Sequence, residues 1–372
     1  MKDVVVLAGS TPWSVLSLCK SAHRFNVKAY VVCVKNGWGR KYAKSCYVHK
    51  AYDTYESEMD KFWLLFFQEN DFSEKPILYV TSDYVCQIVE HNRAFYEEHF
   101  ELCMPSSYII DSFIDKNKAT KEAERHGLTI PKTQEIHSEE DIKAICLDFS
   151  FPVIVKPVTF RDHSNAGFKT QICDTSEHLR NFLSTHIPKG VNLQCQEYIK
   201  GEDKNCLFYQ FYRDRSGNIT ECLGEKTLQT NGIMTIGTTK YDEELASVSR
   251  MFINSIDYVG IGGIEFKRYD GKYYFIEMST RTEGFLPISD MAGVSLADTS
   301  ILTMNKMRLI EKNQKEGIQY VVLKPYLKTT IRCRGLFYAL WHIICFIFSP
   351  KSRFTGAFID IKFAVKRDLR II

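Results

Sequence analysis

The stretch from Ile264 to Arg281 reads IEFKRYDGKYYFIEMSTR, two apolar strand-like runs around Asp270-Gly271, each carrying one glutamate, Glu265 or Glu277. A carboxylate among Ile, Phe, Tyr and Met is costly unless water or a cation meets it. Side chains alternate faces along a strand, so the hairpin register decides whether the two glutamates meet. A two-residue Asp-Gly turn, the commonest choice, sets Glu265 against Ile276 and sends Glu277 to the opposite face. A three-residue loop of Asp270, Gly271 and Lys272 pairs Glu265 with Glu277. That register places Glu265, Glu277 and Ser279 on one face and Ile264, Phe266, Ile276 and Met278 on the other. Local propensity favours the first register; only residues outside the hairpin can select the second.

The start of the chain constrains the fold differently. DVVVLAG reads as a buried strand, Ser10-Thr11-Pro12 as a helix start, Trp13 to His23 as a helix and Val27 to Val34 as a second strand. Strand, helix and strand in so short a span make a βαβ unit with a parallel sheet. Pro76 to Asn92 repeats the alternation, so residues 1–110 are expected to form a doubly wound α/β domain. Gly9-Ser10 is a single-glycine strand-to-helix turn, too sparse for a dinucleotide loop. Further on, antiparallel hairpins surround helices, as in LFYQFYRDRSGNITECLGEKT, and the character becomes α+β.

Composition closes several doors. The 372 residues are 45% hydrophobic and 25% charged with a net charge of +3, which suits two or three packed soluble domains and no nucleic-acid arm. Twelve cysteines stand without a CxxC pair or a Cys/His cluster, and no signal peptide is recognisable, so a cytoplasmic protein with free core thiols is expected. From about Val321 the tail changes. Leu336 to Phe348, LFYALWHIICFIF, is flanked by Arg332, Arg334, Lys351 and Arg353 and is too short to span a bilayer. It reads either as a buried helix or as a peripheral membrane contact over 335–353.

The lysines bear on the hairpin. Lys116 opens a helix after Asp115, Lys156 ends the strand FPVIVKP, and QEYIKGED follows before the paired-glutamate hairpin. In this order, over roughly Pro76 to Asn305, the set resembles the ATP-grasp superfamily, in its carbamoyl-phosphate-synthase-like carboxylate–amine ligase branch that includes D-aspartate ligases. The stretches VTSDYVCQIVEHNRAFYEEHF, GIGGIEFKRYDGKYYFIEMSTR and MAGVSLADTSIL carry the nearer similarity. The resemblance implies an ATP-grasp fold over 111–320, with a lid subdomain at about 125–195, after the N-terminal domain and before a 321–372 tail.

It also implies roles, residue by residue. Lys116 and Lys156 match the lysines that contact ATP phosphates. Glu197, Tyr198 and Ile199 match the linker whose backbone takes the adenine edge. Asp203, or its neighbour Glu202, matches the acid that accepts from ribose. Glu265 and Glu277 match the carboxylates for Mg2+ (or Mn2+), which selects the three-residue loop, and Arg281 matches the arginine at the reacting carboxylate. Two departures stand out. Ser279-Thr280 replaces the usual Asn-Pro, so a shorter hydroxyl faces the metal. The segment after Lys156, VTFRDHSNAGFKTQ, holds only Gly167 where a glycine-rich flap is expected. Lys169 and Lys226 read either as phosphate or substrate contacts or as solvated surface charges, and His163 either as an acceptor of the amine proton or as a solvent-facing ring.

The implied activity is an ATP-dependent carbon–nitrogen ligase that joins a small-molecule or envelope-precursor carboxylate to an amine through an acyl phosphate, with a homodimer compatible. A nucleotide-binding regulatory protein that has lost catalysis is the alternative.

Overall fold

A computed structural model describes residues 1–9, 12–35, 37–187, 190–230, 233–307, 312–349 and 351–355. Three sheets organise it. The first contains β1 (Val4–Ala8), β2 (Ala29–Val34), β3 (Lys50–Thr54), β4 (Ile77–Val80) and β5 (Glu101–Leu102), all parallel, in the order β3-β2-β1-β4-β5. Its central strands β1, β2 and β4 are near-continuous apolar runs because both faces are covered. Val4, Val6, Val31 and Tyr79 pack into one core and Val5, Leu7, Val32 and Leu78 into another. The first of these cores also takes in Leu286, Leu296 and Ile301 from the far end of the chain, and the Tyr79 hydroxyl meets the Ser300 hydroxyl at 2.8 Å.

The second sheet is antiparallel and small: β6 (Thr133–Ile136), β7 (Val153–Pro157), β8 (Gln171–Cys173) and β9 (Leu193–Glu197), in the order β6-β9-β7-β8. The third holds β10 (Cys206–Arg213), β11 (Ile219–Thr230), β12 (Ile233–Thr239), β13 (Gly260–Tyr269), β14 (Lys272–Ser279), β15 (Gln319–Val322) and β16 (Ser352–Thr355), in the order β14-β13-β10-β11-β12-β15-β16. Every pairing in it is antiparallel except β15 with β16. The Lys116–Arg125 and Glu243–Ser255 helices pack Ala119, Ala123, Leu245 and Phe252 against Ile264, Phe266 and Phe275 on one face of that sheet. This sequence of a parallel α/β sheet followed by antiparallel sheets is the expected fold.

All twelve cysteines are unpaired, and most are buried as small apolar side chains. The tail differs from its buried reading. β15 is an integral strand beside β12, and the Leu336–Phe348 helix keeps Phe337, Trp341 and Phe348 exposed. Among the described residues no helix is long and apolar enough to cross a membrane.

Candidate active site

The β13–β14 hairpin resolves the register question in an unforeseen way. Tyr269 pairs with Lys272, so the turn is the two-residue Asp270-Gly271, with φ of 48° and 70° at the two positions. Those left-handed angles suit Asp-Gly and match the twist of the strands. The expected three-residue loop does not form. Nevertheless Glu265 faces Glu277, because the register shifts between Phe266↔Phe275 and Glu265↔Glu277 and leaves Ile276 as an extra residue. This β-bulge turns the end of β14 by one position. Phe275, rather than Ile276, joins Ile264, Phe266 and Met278 in the core. Local turn chemistry and the pairing of the carboxylates are thus both satisfied.

Four lysines from four segments surround the pair. Lys226 of β11 is 2% exposed and forms an ion pair with Glu265, whose side chain retains 19% exposure. Lys226 is therefore no solvated surface charge. Lys156 of β7 is buried and donates to Gln196 Oε1 at 2.7 Å. Lys116 opens its helix behind Asp115, whose carboxylate caps the N–H groups of Asn117 and Lys118. Its ammonium donates to the carbonyls of Pro157 at 3.0 Å and Val158 at 3.4 Å, which brings it beside the end of β7. Lys169 is exposed, yet its charge is felt by both Lys156 and Glu277.

The titration shifts report the same cluster. Burial pushes Lys156 down to about 8, with Lys116 and Lys169 adding to the effect and Glu277 and Glu265 opposing it. Burial works to raise Glu277, but Lys169, Lys116, Lys226 and Lys156 outweigh it and hold the carboxyl well below its usual range. Glu265 moves up through burial, with Glu277 and Glu283 adding and Lys226 opposing. Lys226 also moves up, because Glu265, Glu277 and Glu283 outweigh its burial. Both shifts in that pair point toward protonation. Burial and the neighbouring acids push Glu265 toward its neutral form, while the direct contact with Lys226 favours its charged form.

Arg281 leaves β14 toward the parallel sheet. Its Nε donates to Asp83 Oδ1 at 2.9 Å and its NH1 to Glu283 Oε2 at 3.3 Å. Asp83 stands in the first turn of the Asp83–His91 helix, capped by Ser82. The backbone N–H and the hydroxyl of Thr282 donate to the Val80 carbonyl, docking this segment on the C-terminal end of β4. That end lies beside β1, at the crevice where the strand order of the parallel sheet reverses. Burial alone would lower the Arg281 pKa, but Asp83 and Glu283 drive it upward. Ser279 is buried opposite Gly263, where an added Cβ would meet Glu283 Cγ at 2.9 Å. Asp83 and Glu283 escaped the sequence reading; the signals were a helix-opening TSD and an acid two residues beyond Arg281.

The remaining predicted residues end β9 or follow β9 and β7 in the chain. Glu197 ends β9 exposed, Tyr198 is half-buried and Ile199 is buried. Asp203 accepts the Gln229 N–H at 2.8 Å, and Lys267 donates to the carbonyls of Gly201 and Glu202, which fixes the turn beyond the linker. The expected glycine-rich flap is instead a Phe160–Ala166 helix. Thr159 and Asp162 form a reciprocal capping box, and Gly167 closes the helix at φ 76°. His163 lies on it, half-buried. Among the described residues no three His, Cys, Asp or Glu side chains converge as a ready metal cage. Two carboxylates beside a cationic pocket do suit magnesium, which usually takes one or two carboxylates and completes its shell with phosphates and water.

Comparison with known proteins gives this geometry a family. Residues 121–284 match the ATP-grasp domain. The carbamoyl phosphate synthase large chain of Archaeoglobus fulgidus is 20% identical over 245 residues, covering 61% of this chain and 22% of that protein. N5-carboxyaminoimidazole ribonucleotide synthase of Synechococcus elongatus is 24% identical over 184 residues, 48% of this chain and 45% of that one. The chain thus spans less than half the length of these curated relatives. In fold it is similar to the biotin carboxylase domain dimer of the Hydrogenobacter thermophilus 2-oxoglutarate carboxylase, crystallised with MgADP, ADP and bicarbonate. There the TM-score is 0.67 at 18% identity, over 86% of this chain and 73% of that one. Over residues 121–284 the chain thus carries an ATP-grasp domain, and it is related to the carbamoyl phosphate synthase large chain and to N5-carboxyaminoimidazole ribonucleotide synthase.

Proposed function

We propose that this chain is an ATP- and magnesium-dependent ligase that activates a carboxylate by phosphoryl transfer and hands the acyl group to an amine. The observation that carries this reading is the cluster in which Lys116, Lys156, Lys169 and Lys226 converge on the Glu265–Glu277 pair. It offers cations to a polyphosphate and two hard oxygen donors to a divalent ion in one place. Glu265 and Glu277 would hold magnesium, with the Ser279 hydroxyl as a third oxygen. When bound, the ion neutralises charge on the phosphates.

Lys116 and Lys156 bind and orient the phosphates. The backbone of Glu197, Tyr198 and Ile199 takes the adenine edge, and Asp203 takes the ribose hydroxyls with the acceptor capacity that Gln229 leaves. In the first step the substrate carboxylate oxygen attacks the γ-phosphorus and ADP departs. In the second the amine, having given up its ammonium proton to solvent, attacks the acyl carbon through its lone pair, phosphate departs with its bonding pair and takes up the remaining amine proton, and an amide forms. Arg281 steadies the developing oxyanion. Asp83 and Glu283, held on either side of it, supply negative charge for an incoming ammonium group. The bicarbonate of the 2-oxoglutarate carboxylase domain widens the carboxylate class to be tested beyond amino acids and envelope precursors.

In this reading residues 1–110 form the N-terminal domain, 111–320 the ATP-grasp domain with a lid at about 125–195, and 321–372 a tail. A homodimer is the assembly to test first. The helix that replaces the glycine-rich flap favours one rival, an ATP-binding regulatory protein. Phosphate release from MgATP, measured across bicarbonate, amino acids and envelope carboxylates with and without amines, separates the two. Release that needs both substrates and disappears in Glu277→Gln supports the ligase; nucleotide binding without release on any pair supports the regulatory protein.

A further inference from the structure

We propose that the C-terminal helical pair docks this protein on an anionic bilayer surface, with the Leu336–Phe348 helix lying in the plane of the interface. The inference is independent of the ligase reading, since none of these residues lies at the carboxylate–lysine cluster.

The first support is the split in the helix. At 100° per residue, Leu336, Leu340, Ile344, Phe337, Phe348 and Trp341 fall within an arc of about 140°. They are 52%, 46%, 45%, 88%, 81% and 63% exposed. The opposite side is already used. Ala339 is fully buried, and Ile343 and Phe346 pack against Ile236 and Val321 of the large sheet and Tyr326 of the preceding helix. The Tyr326 and Phe346 rings meet edge to face at 5.6 Å. The outward stripe therefore does not exist to hold the helix on the protein, and single scattered apolar residues would not form it.

The second support is charge. From Gly317 to Ala357 the sequence contains no Asp or Glu, while Lys324, Lys328, Arg332, Arg334, Lys351 and Arg353 are all basic. Arg332 and Arg334 close the preceding Leu323–Arg334 helix, exposed just before the apolar stripe begins, and Lys351 is exposed just after it ends. Arg334 is oriented by the Tyr338 hydroxyl at 2.6 Å. An apolar face carrying Trp and Phe between basic ends is the pattern of a helix that sinks shallowly among headgroups. The remaining sequence, 356–372, carries Lys362, Lys366, Arg367 and Arg370 against Asp360 and Asp368. Its net positive charge does not complement the basic rim, whereas anionic lipid does.

The test is co-sedimentation of the full chain with vesicles of phosphatidylcholine alone and of phosphatidylcholine with phosphatidylserine, at low and high salt. The account expects partitioning at least about tenfold stronger onto the anionic vesicles, weakened by salt. Fluorescence of Trp341 should be quenched by lipids brominated near the headgroup, read as the difference between wild type and Trp341→Phe. The double variant Phe337→Ser, Trp341→Ser, which alters only outward side chains, should lose binding and keep its thermal midpoint and nucleotide affinity. Equal partitioning onto both vesicle types, or none onto either, overturns the proposal. So does a self-associated wild type that the double variant converts to monomer, because the stripe would then belong to a second copy.

Discussion

Around Glu265 and Glu277 the chain interrupts a regular strand, with Ile276 left out of the ladder. After Lys156 it builds a regular helix where a glycine-rich loop was expected. Both segments border the same cluster of charges, and in both the strongest local signal is obeyed. Asp270-Gly271 takes its preferred two-residue turn, and Thr159, Asp162 and Gly167 cap and close a helix. The difference lies in what nonlocal forces demand afterwards. In the hairpin, burial of Met278 and the attraction of the surrounding lysines for Glu277 require a face that the turn alone would not give, and a bulge supplies it. After Lys156 the capping box forms in both directions, and Asp162 gains a further partner in the Asn192 N–H at 3.1 Å. Charge overrides regularity in one place and local capping prevails in the other.

If the charge pairing dominates the hairpin, Lys226→Met should have the largest effect. It strands a buried carboxylate and is expected to cost roughly 3–5 kcal/mol in urea unfolding. Adding Glu265→Gln to the same chain should recover most of that loss. A single-variant cost under about 1 kcal/mol would show that the bulge is held by apolar packing alone.

Lys156 sharpens the comparison through pH. Its ammonium is depressed to about 8 in the folded chain, below the ordinary 10.5, so the unfolded chain binds more protons between those values. Stability should therefore rise as pH rises through that window. ATP affinity should do the reverse, falling by up to about tenfold per pH unit above 8 as the cation is lost. Calorimetric titration at several pH values should show this slope in wild type and a flat profile in Lys156→Arg. A flat wild-type profile would remove Lys156 from the nucleotide site.

The smallest effect belongs to the capped helix. Asp162→Ala should cost about 1–2 kcal/mol and raise amide exchange over 160–166. Unchanged exchange there would mean that the capping box does not govern this segment.

Much of this was legible in the sequence, for physical reasons. The parallel sheet announced itself through buried runs such as VVVLA and AYVVCV, and the ordered lysines and paired glutamates pointed to the charge cluster. The bulge was not legible, because both registers satisfy the alternation of side chains until tertiary packing selects between Phe275 and Ile276 for the core. The Asp83–Arg281 contact joins positions 198 residues apart and leaves no local trace. The exposure of Trp341 was equally hidden, since an apolar run has the same composition whether it is covered or open.

The central claim is that Glu265 and Glu277 together form a divalent-metal and phosphate site. The most direct measurement is the affinity of Mn2+, read by water-proton relaxation enhancement in the presence of a non-hydrolysable ATP analogue, for wild type, Glu265→Gln and Glu277→Gln. The account predicts a nucleotide-dependent Mn2+ site that weakens by about tenfold or more in each variant. Equal Mn2+ affinity in all three proteins would contradict it.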